Sequence, residues 1–443
     1  MAVVGPISVV FRLFGVQVRR GMRIATAVLV LAVFVSGHEA FAAGKTCDVK
    51  AYGAKGDGVA KDTLAVRKAI DACAGGGTVE VGAGKYLIGP IELKSGVTLD
   101  LQAGATLLGS ADVADYPRRM EMREMWLQPL IGAKDAKDIT IHGGGTIDGN
   151  GESWWTMARS VKDSGIYKSS NQHPRPMLLM FDHSSHIVVE GITVQNSAFW
   201  QIVPYYSDDL VFRNLKIFAP QHSPNTDAID PFASSHILID HVFSSVGDDN
   251  IAIKSGVIDS PGPDSPSHDI SITDCVFEHG HGLSIGSELA GGANNIHAER
   301  IHFKGTDQGI RIKSNRDRGA QIYAMTFKDI TMEDVTTPIL ISEYYPKVAP
   351  EGEVPSAPIG RLTPFFHDFT IENVTATGAK NAGYIVGLPE SPVKSVVLKH
   401  IRIAAQKGMI VMFAQVSAED VSITSQDGKA ISVAPNAVFD ITK

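Results

Sequence analysis

The chain has 443 residues, 44% hydrophobic and 20% charged, which excludes wholesale disorder and provides for a large core. A formal net charge of -8 excludes a general nucleic-acid binder, because that role needs a basic surface. Any polyanionic ligand would have to be drawn in by local cations.

At the N-terminus, Arg19, Arg20 and Arg23 precede an apolar run from Ile24 to Val35, and Ala40-Phe41-Ala42 follows as a small-x-small cleavage site. This pattern predicts a signal peptide over residues 1–42, with Met22 as an alternative start, and a single domain over residues 43–443. The apolar run is shorter than the roughly 20 residues of a membrane span, so no membrane association is expected after cleavage. The predicted location is outside the cytoplasm, extracellular or periplasmic. Of the three cysteines, Cys47 and Cys73 can pair to clamp the N-terminal end, which leaves Cys275 as a small core residue.

Next in the chain, the segment Asp62 to Cys73 has helical spacing in Leu64, Ala65 and Ile70 and runs into Ala74-Gly-Gly-Gly77, which predicts a short helix. Beyond it a pattern of apolar-x-apolar, polar, apolar-x-apolar recurs. Copies begin at Val97, Ile139, Ile187, Leu210, Ile237, Ile270, Ile296, Ile322, Phe369 and Val396. Period-two alternation of Val, Ile and Phe with polar residues indicates strands. The unequal intervals disfavour a propeller and fit a solenoid whose turns carry loops of variable length. The expected fold is all-β, a right-handed parallel β-helix, with the short helix covering its N-terminal end against open sheet edges. Longer loops at about 110–136, 150–176, 255–268 and 343–366 would rim a groove, and the Pro- and Gly-rich segment 343–366 is a candidate for a wall across it.

Within the repeats lie four polar clusters: Asn225-Thr226-Asp227, Gly247-Asp248-Asp249, Gly280-His281-Gly282 and Arg311-Ile312-Lys313. Aligning the following strands on Ile229, Ile251, Leu283 and Ile310 puts Asp227, Asp249 and His281 at one offset, with Asp248 adjacent. Arg311 and Lys313 alternate with apolar residues and point outward together. Carboxylates so close cannot all be comfortably ionised, and a carboxylic acid beside a carboxylate suits acid/base cleavage of a glycosidic bond. Taken singly, each cluster is ordinary turn or strand-face chemistry; their coincidence at matching offsets carries the argument.

At these residues the sequence resembles the polygalacturonases of glycoside hydrolase family 28, from Val49-Lys-Ala-Tyr-Gly-Ala-Lys-Gly-Asp-Gly58 to at least Tyr345. The resemblance implies a parallel β-helix that hydrolyses α-1,4-galacturonosidic bonds of pectin with inversion and without metal or organic cofactor. It implies that Asp248 is the general acid, that Asp227 and Asp249 activate water and that His281 tunes the network. Asn225, Arg311, Lys313 and Tyr345, or the adjacent Tyr344, would bind substrate, with Arg311 and Lys313 gripping a galacturonate carboxylate. Ala228 departs from the glycine that many members carry there. The implied partner is polygalacturonate, and the expected state is a monomer. The alternatives are a hydrolase of another pectic backbone such as rhamnogalacturonan, or a non-catalytic polysaccharide-binding β-helix. Trp154, Trp155 and Trp200 are candidates for sugar stacking or for packing.

Overall fold

The structure is a computed structural model that describes residues 44–165, 173–256, 264–350 and 352–442. The predicted signal peptide lies outside these residues. The remainder is a parallel β-helix: strands stack on their counterparts one coil away to form three parallel ladders. Right-handed crossing between successive parallel strands follows from strand twist.

The first ladder runs in register through Ile139, Ile187, Leu210, Ile237, Ile270 and Ile296, as the repeat predicts. The next copy differs from the expectation. Ile296 pairs with Met325, whereas Ile322 pairs with Ala293, because the strand Gln321–Glu333 begins four residues before Met325, the residue that stacks. Phe369 and Val396 then continue the ladder from Met325. The polar residue inside each repeat has a conformational reason. Asn214, His241, Asp274, Asp329, Asn373 and His400 all have φ between 50° and 55°, where the chain turns from the first ladder to the second. Asn, Asp and His enter this left-handed region more readily than other side chains.

The helix α1 (Thr63–Cys73) forms where the spacing predicts it and buries Ala65, Val66, Ala69, Ile70 and Cys73 over the N-terminal coil. Leu64 is not part of that face and is exposed. Asp62 spends its carboxylate on the Lys55 and Gly56 amides instead of capping the helix. Cys47 and Cys73 form the disulfide and tie α1 to the first strand. By loop-closure entropy a bridge over this separation contributes about 3 kcal/mol. Cys275 is a buried core thiol. At the other end, the strands Ile431–Val433 and Val438–Thr442 close the stack, with Val433, Val438 and Ile441 exposed.

Two of the expected rim loops hold regular structure. Residues 150–176 contain a second helix, α2 (Glu152–Asp163). Trp154 and Trp155 are buried, and Trp155 donates to the Ser197 carbonyl, so both are packing residues and not a sugar platform. Residues 110–136 contain the antiparallel hairpin Arg118–Glu121/Glu124–Leu127.

Candidate active site

The third ladder carries the polar clusters. Its inward column runs Ile202, Ile229, Ile251, Leu283, Ile310 and Ile339, each fully buried and in register with the next. This is the alignment used on the sequence, and it pairs Asp249 with His281 one coil apart. Close backbone approach fixes the turns that present these side chains. The His281 amide donates to the Asp248 carbonyl, and a Cβ on Gly280, at φ 63°, would meet that carbonyl at 2.1 Å. Across the previous coil, Thr226 Oγ1 accepts from the Gly247 amide and stitches the Asn-Thr-Asp turn to the Gly-Asp-Asp turn.

Asp227, Asp248 and Asp249 converge, with a carboxylate oxygen from each lying within 4.8 Å of the others. Their surroundings separate them. Asp249 is buried; its Oδ1 accepts from Ser284 Oγ at 2.6 Å and Arg311 Nη1 at 3.1 Å, and its Oδ2 from Lys313 Nζ at 2.9 Å. Burial works against its charge, but the Lys313 and Arg311 cations outweigh it and hold the carboxyl well below the usual range. Asp248 lacks such partners and is partly exposed to the groove. Burial and the charge of Asp249 push it upward, against His281, whose Nε2 lies 4.0 Å from Asp248 Oδ1. The other imidazole nitrogen of His281 is 3.0 Å from the exposed Asp307 carboxylate.

Asp227 belongs to a second buried group that the sequence reading overlooked. Lys254 Nζ binds Asp227 Oδ2 at 3.2 Å and also Asp230. The remaining oxygens, Asp227 Oδ1 and Asp230 Oδ2, are buried with no hydrogen-bond partner among the described residues. Burial and the charges of Asp230 and Asp248 raise Asp227 strongly, and burial raises Asp230 to about 7. Two carboxylates and one ammonium in a dry space are balanced when the acids hold one proton between them. Lys254 keeps its charge, because these carboxylates outweigh the burial that opposes it.

The predicted binding residues surround this core. Asn225 Oδ1 accepts from buried Arg175 at 2.6 Å, which fixes its orientation. Lys313 Nζ lies 5.4 Å from the centroid of Tyr345, which selects Tyr345 over Tyr344 as the aromatic beside the cations. Arg311 and Lys313 are nearly buried and already bound to Asp249, and together they favour its ionised form. Trp200 is half-buried, with Lys254 Nζ 4.3 Å over its ring.

A family model described as glycosyl hydrolases family 28 matches residues 73–422. Among similar proteins, a probable polygalacturonase of Vitis vinifera is 28% identical over 370 residues, covering 80% of this chain and 73% of that protein. An endo-polygalacturonase of Pectobacterium carotovorum subsp. carotovorum is 28% identical over 362 residues, covering 77% and 84%. A solved exopolygalacturonase from Thermotoga maritima shares the fold at TM-score 0.69 and 24% identity, over 89% of this chain and 92% of that one. A polygalacturonase from Erwinia carotovora ssp. carotovora shares it at TM-score 0.67 and 24% identity, over 91% and 98%.

Proposed function

Because the chain belongs to glycosyl hydrolases family 28 and is a pectin-degrading glycosidase, we propose that it hydrolyses α-1,4 bonds between galacturonates by direct displacement with water. The observation that carries this reading is the division of labour among three adjoining carboxylates. Asp248, raised and open to the groove, is suited to protonate the glycosidic oxygen, and Asp249, held ionised by Arg311 and Lys313, is suited to take a proton from water.

Spacing alone argues for retention, because carboxyls about 5 Å apart usually belong to enzymes that form a covalent intermediate. Burial argues the other way. Asp227 and Asp249 are both buried and bound by cations, so a sugar carbon has no direct approach to either, whereas a water molecule is small enough to be held between them. We therefore assign inversion. His281, between Asp248 and Asp307, positions the acid. Arg311, Lys313 and Tyr345 supply the positive wall that a galacturonate carboxylate needs beside an otherwise acidic protein.

Export of a single catalytic domain, residues 43–443, acting as a monomer outside the cytoplasm, completes the proposal, and the Cys47–Cys73 disulfide supports an oxidising destination. The test is a time course on polygalacturonate that follows reducing ends, ultraviolet absorbance and the anomeric configuration of the first product by NMR. Reducing ends without new absorbance, and a β-anomer released first, are expected. An unsaturated, absorbing product would mean elimination, and an α-anomer would mean retention.

A further inference from the structure

The third ladder is covered on the side of the active site that faces the N-terminal coils. Met180 and Val203, which alternate with inward Leu179 and Ile202, point outward yet are 1% and 0% exposed. An open groove floor would leave such positions wet. The hairpin Arg118–Glu121/Glu124–Leu127 lies at this end. Its Trp126 is buried, packs 5.5 Å from the Phe199 ring and donates Nε1 to the Arg175 carbonyl, the same arginine that holds Asn225. Arg119 at its base binds Glu92 at 2.8 Å and also Glu121. The hairpin is thus fixed to the floor through both of its strands.

Its tip is strained. Met122 and Arg123 have φ of 46° and 65°, in the left-handed region that bulky side chains avoid. That turn sets the Arg123 guanidinium 4.5 Å over the ring of Tyr206. Beneath the tip is a cavity of about 170 Å³, walled by Arg123, Trp200, Tyr205, Tyr206, Phe232 and Glu288. Its volume lies below the roughly 300 Å³ at which pockets for drug-sized ligands begin, a scale that suits a single sugar ring. Aromatic walls suit the C–H faces of such a ring, and a guanidinium suits its carboxylate. Three acids also line it: Glu121 is paired with Arg119 and Glu288 with Arg318, while Glu124 follows Arg123 at the start of the second strand of the hairpin. Trp200 joins the cavity to the catalytic group, since Lys254 sits over its ring and binds Asp227.

We propose that this cavity is a chain-end pocket, in which the hairpin Arg118–Leu127 stops the polymer and Arg123 with its aromatic neighbours receives the terminal galacturonate, so that the enzyme releases product from chain ends. The proposal rests on the polygalacturonase reading. It also moves the wall from segment 343–366, where the sequence suggested it, to the opposite side of the catalytic carboxylates.

The experiment follows product sizes and viscosity from the first minutes of digestion of polygalacturonate by the wild-type protein. Monomer as the sole early product, with viscosity lagging behind reducing ends, is expected. Arg123→Ala should raise KM roughly 10-fold through loss of one charge-assisted contact while monomer remains the product. Replacing residues 120–125 with a short Gly-rich turn should reopen the groove and release mixed oligomers. Mixed oligomers from the wild type at the earliest times would overturn the chain-end pocket alone. Absence of any reducing ends would overturn the underlying reading and the pocket with it.

Discussion

Lys254 Nζ lies 3.2 Å from Asp227 Oδ2, with the two side chains 4% and 5% exposed, and this ion pair connects the proposed catalytic acids to the core of the coil. Lys254→Met would leave Asp227 and Asp230 buried without their cation. Removing one partner of a buried pair costs about 3–5 kcal/mol, so the variant should unfold at distinctly lower denaturant concentration. Its surviving folded fraction should also turn over more slowly. Unchanged stability and unchanged kcat together would show that the pair is incidental.

Asp248→Asn keeps the shape of the proposed acid and removes its transferable proton. Turnover should fall by about 10² to 10⁴ with binding of oligogalacturonate nearly unchanged, as measured by calorimetry beside a kinetic assay. A variant retaining a tenth of the wild-type rate would refute the assignment.

Arg311→Ala acts on two functions at once. It removes a cation from the groove, which should raise KM for polygalacturonate. It also removes one of the charges that hold Asp249 low, so the proposed base would take up its proton at higher pH and the acid limb of kcat should move toward neutrality. A rise in KM with a fixed acid limb would mean that Lys313 and Ser284 alone keep Asp249 ionised.

Between pH 5 and 7 the buried acids should make the fold less stable as pH rises. Asp230 has a folded pKa of about 7, above its unfolded value of 3.8, so the folded state holds a proton that the unfolded state has lost. Stability from such a group is fully present below about pH 4 and falls as pH climbs toward 7. Carboxylates held low, such as Asp249 and Asp274, contribute with the opposite sign, but their contribution is complete by about pH 5 and is lost only on further acidification. Denaturant titrations across this window should show the decline, and Asp230→Asn should flatten it. An equal slope in the variant would assign the decline to other groups.

The inward ladder was legible because its signal is local and repetitive: aligning Ile229, Ile251, Leu283 and Ile310 reproduces the register and places Asp227, Asp249 and His281 correctly. The same alignment contains Lys254, three residues after Ile251 as Lys313 is three residues after Ile310, and puts Asp230 at the offset of Arg311. Both were missed because a lysine or aspartate in an alternating strand reads as a solvated face. Only neighbouring coils and the half-buried Trp200 make those positions dry. The hairpin Arg118–Leu127 left no periodic trace, since it is a single antiparallel excursion; α2 carries a helical stripe in Trp154, Met157, Ala158 and Val161, but it interrupts a strand repeat and so reads as a loop between coils. Ile322 was misread for a related reason: it is a genuine strand residue, but three positions ahead of the one that stacks.

The two ends of the stack are built differently, and this has a consequence for how the molecule should come apart. The first coil is sealed by α1 and cross-linked through Cys47–Cys73, whereas the strands Ile431–Val433 and Val438–Thr442 end with apolar side chains in water. In a solenoid each coil leans only on its neighbours, so loosening begins at the less protected terminus and travels coil by coil. Hydrogen exchange should therefore be fastest near Val438, slow progressively toward Ile310, and reach the carboxylate-bearing coils last, which gives the chemistry a buffer of expendable turns.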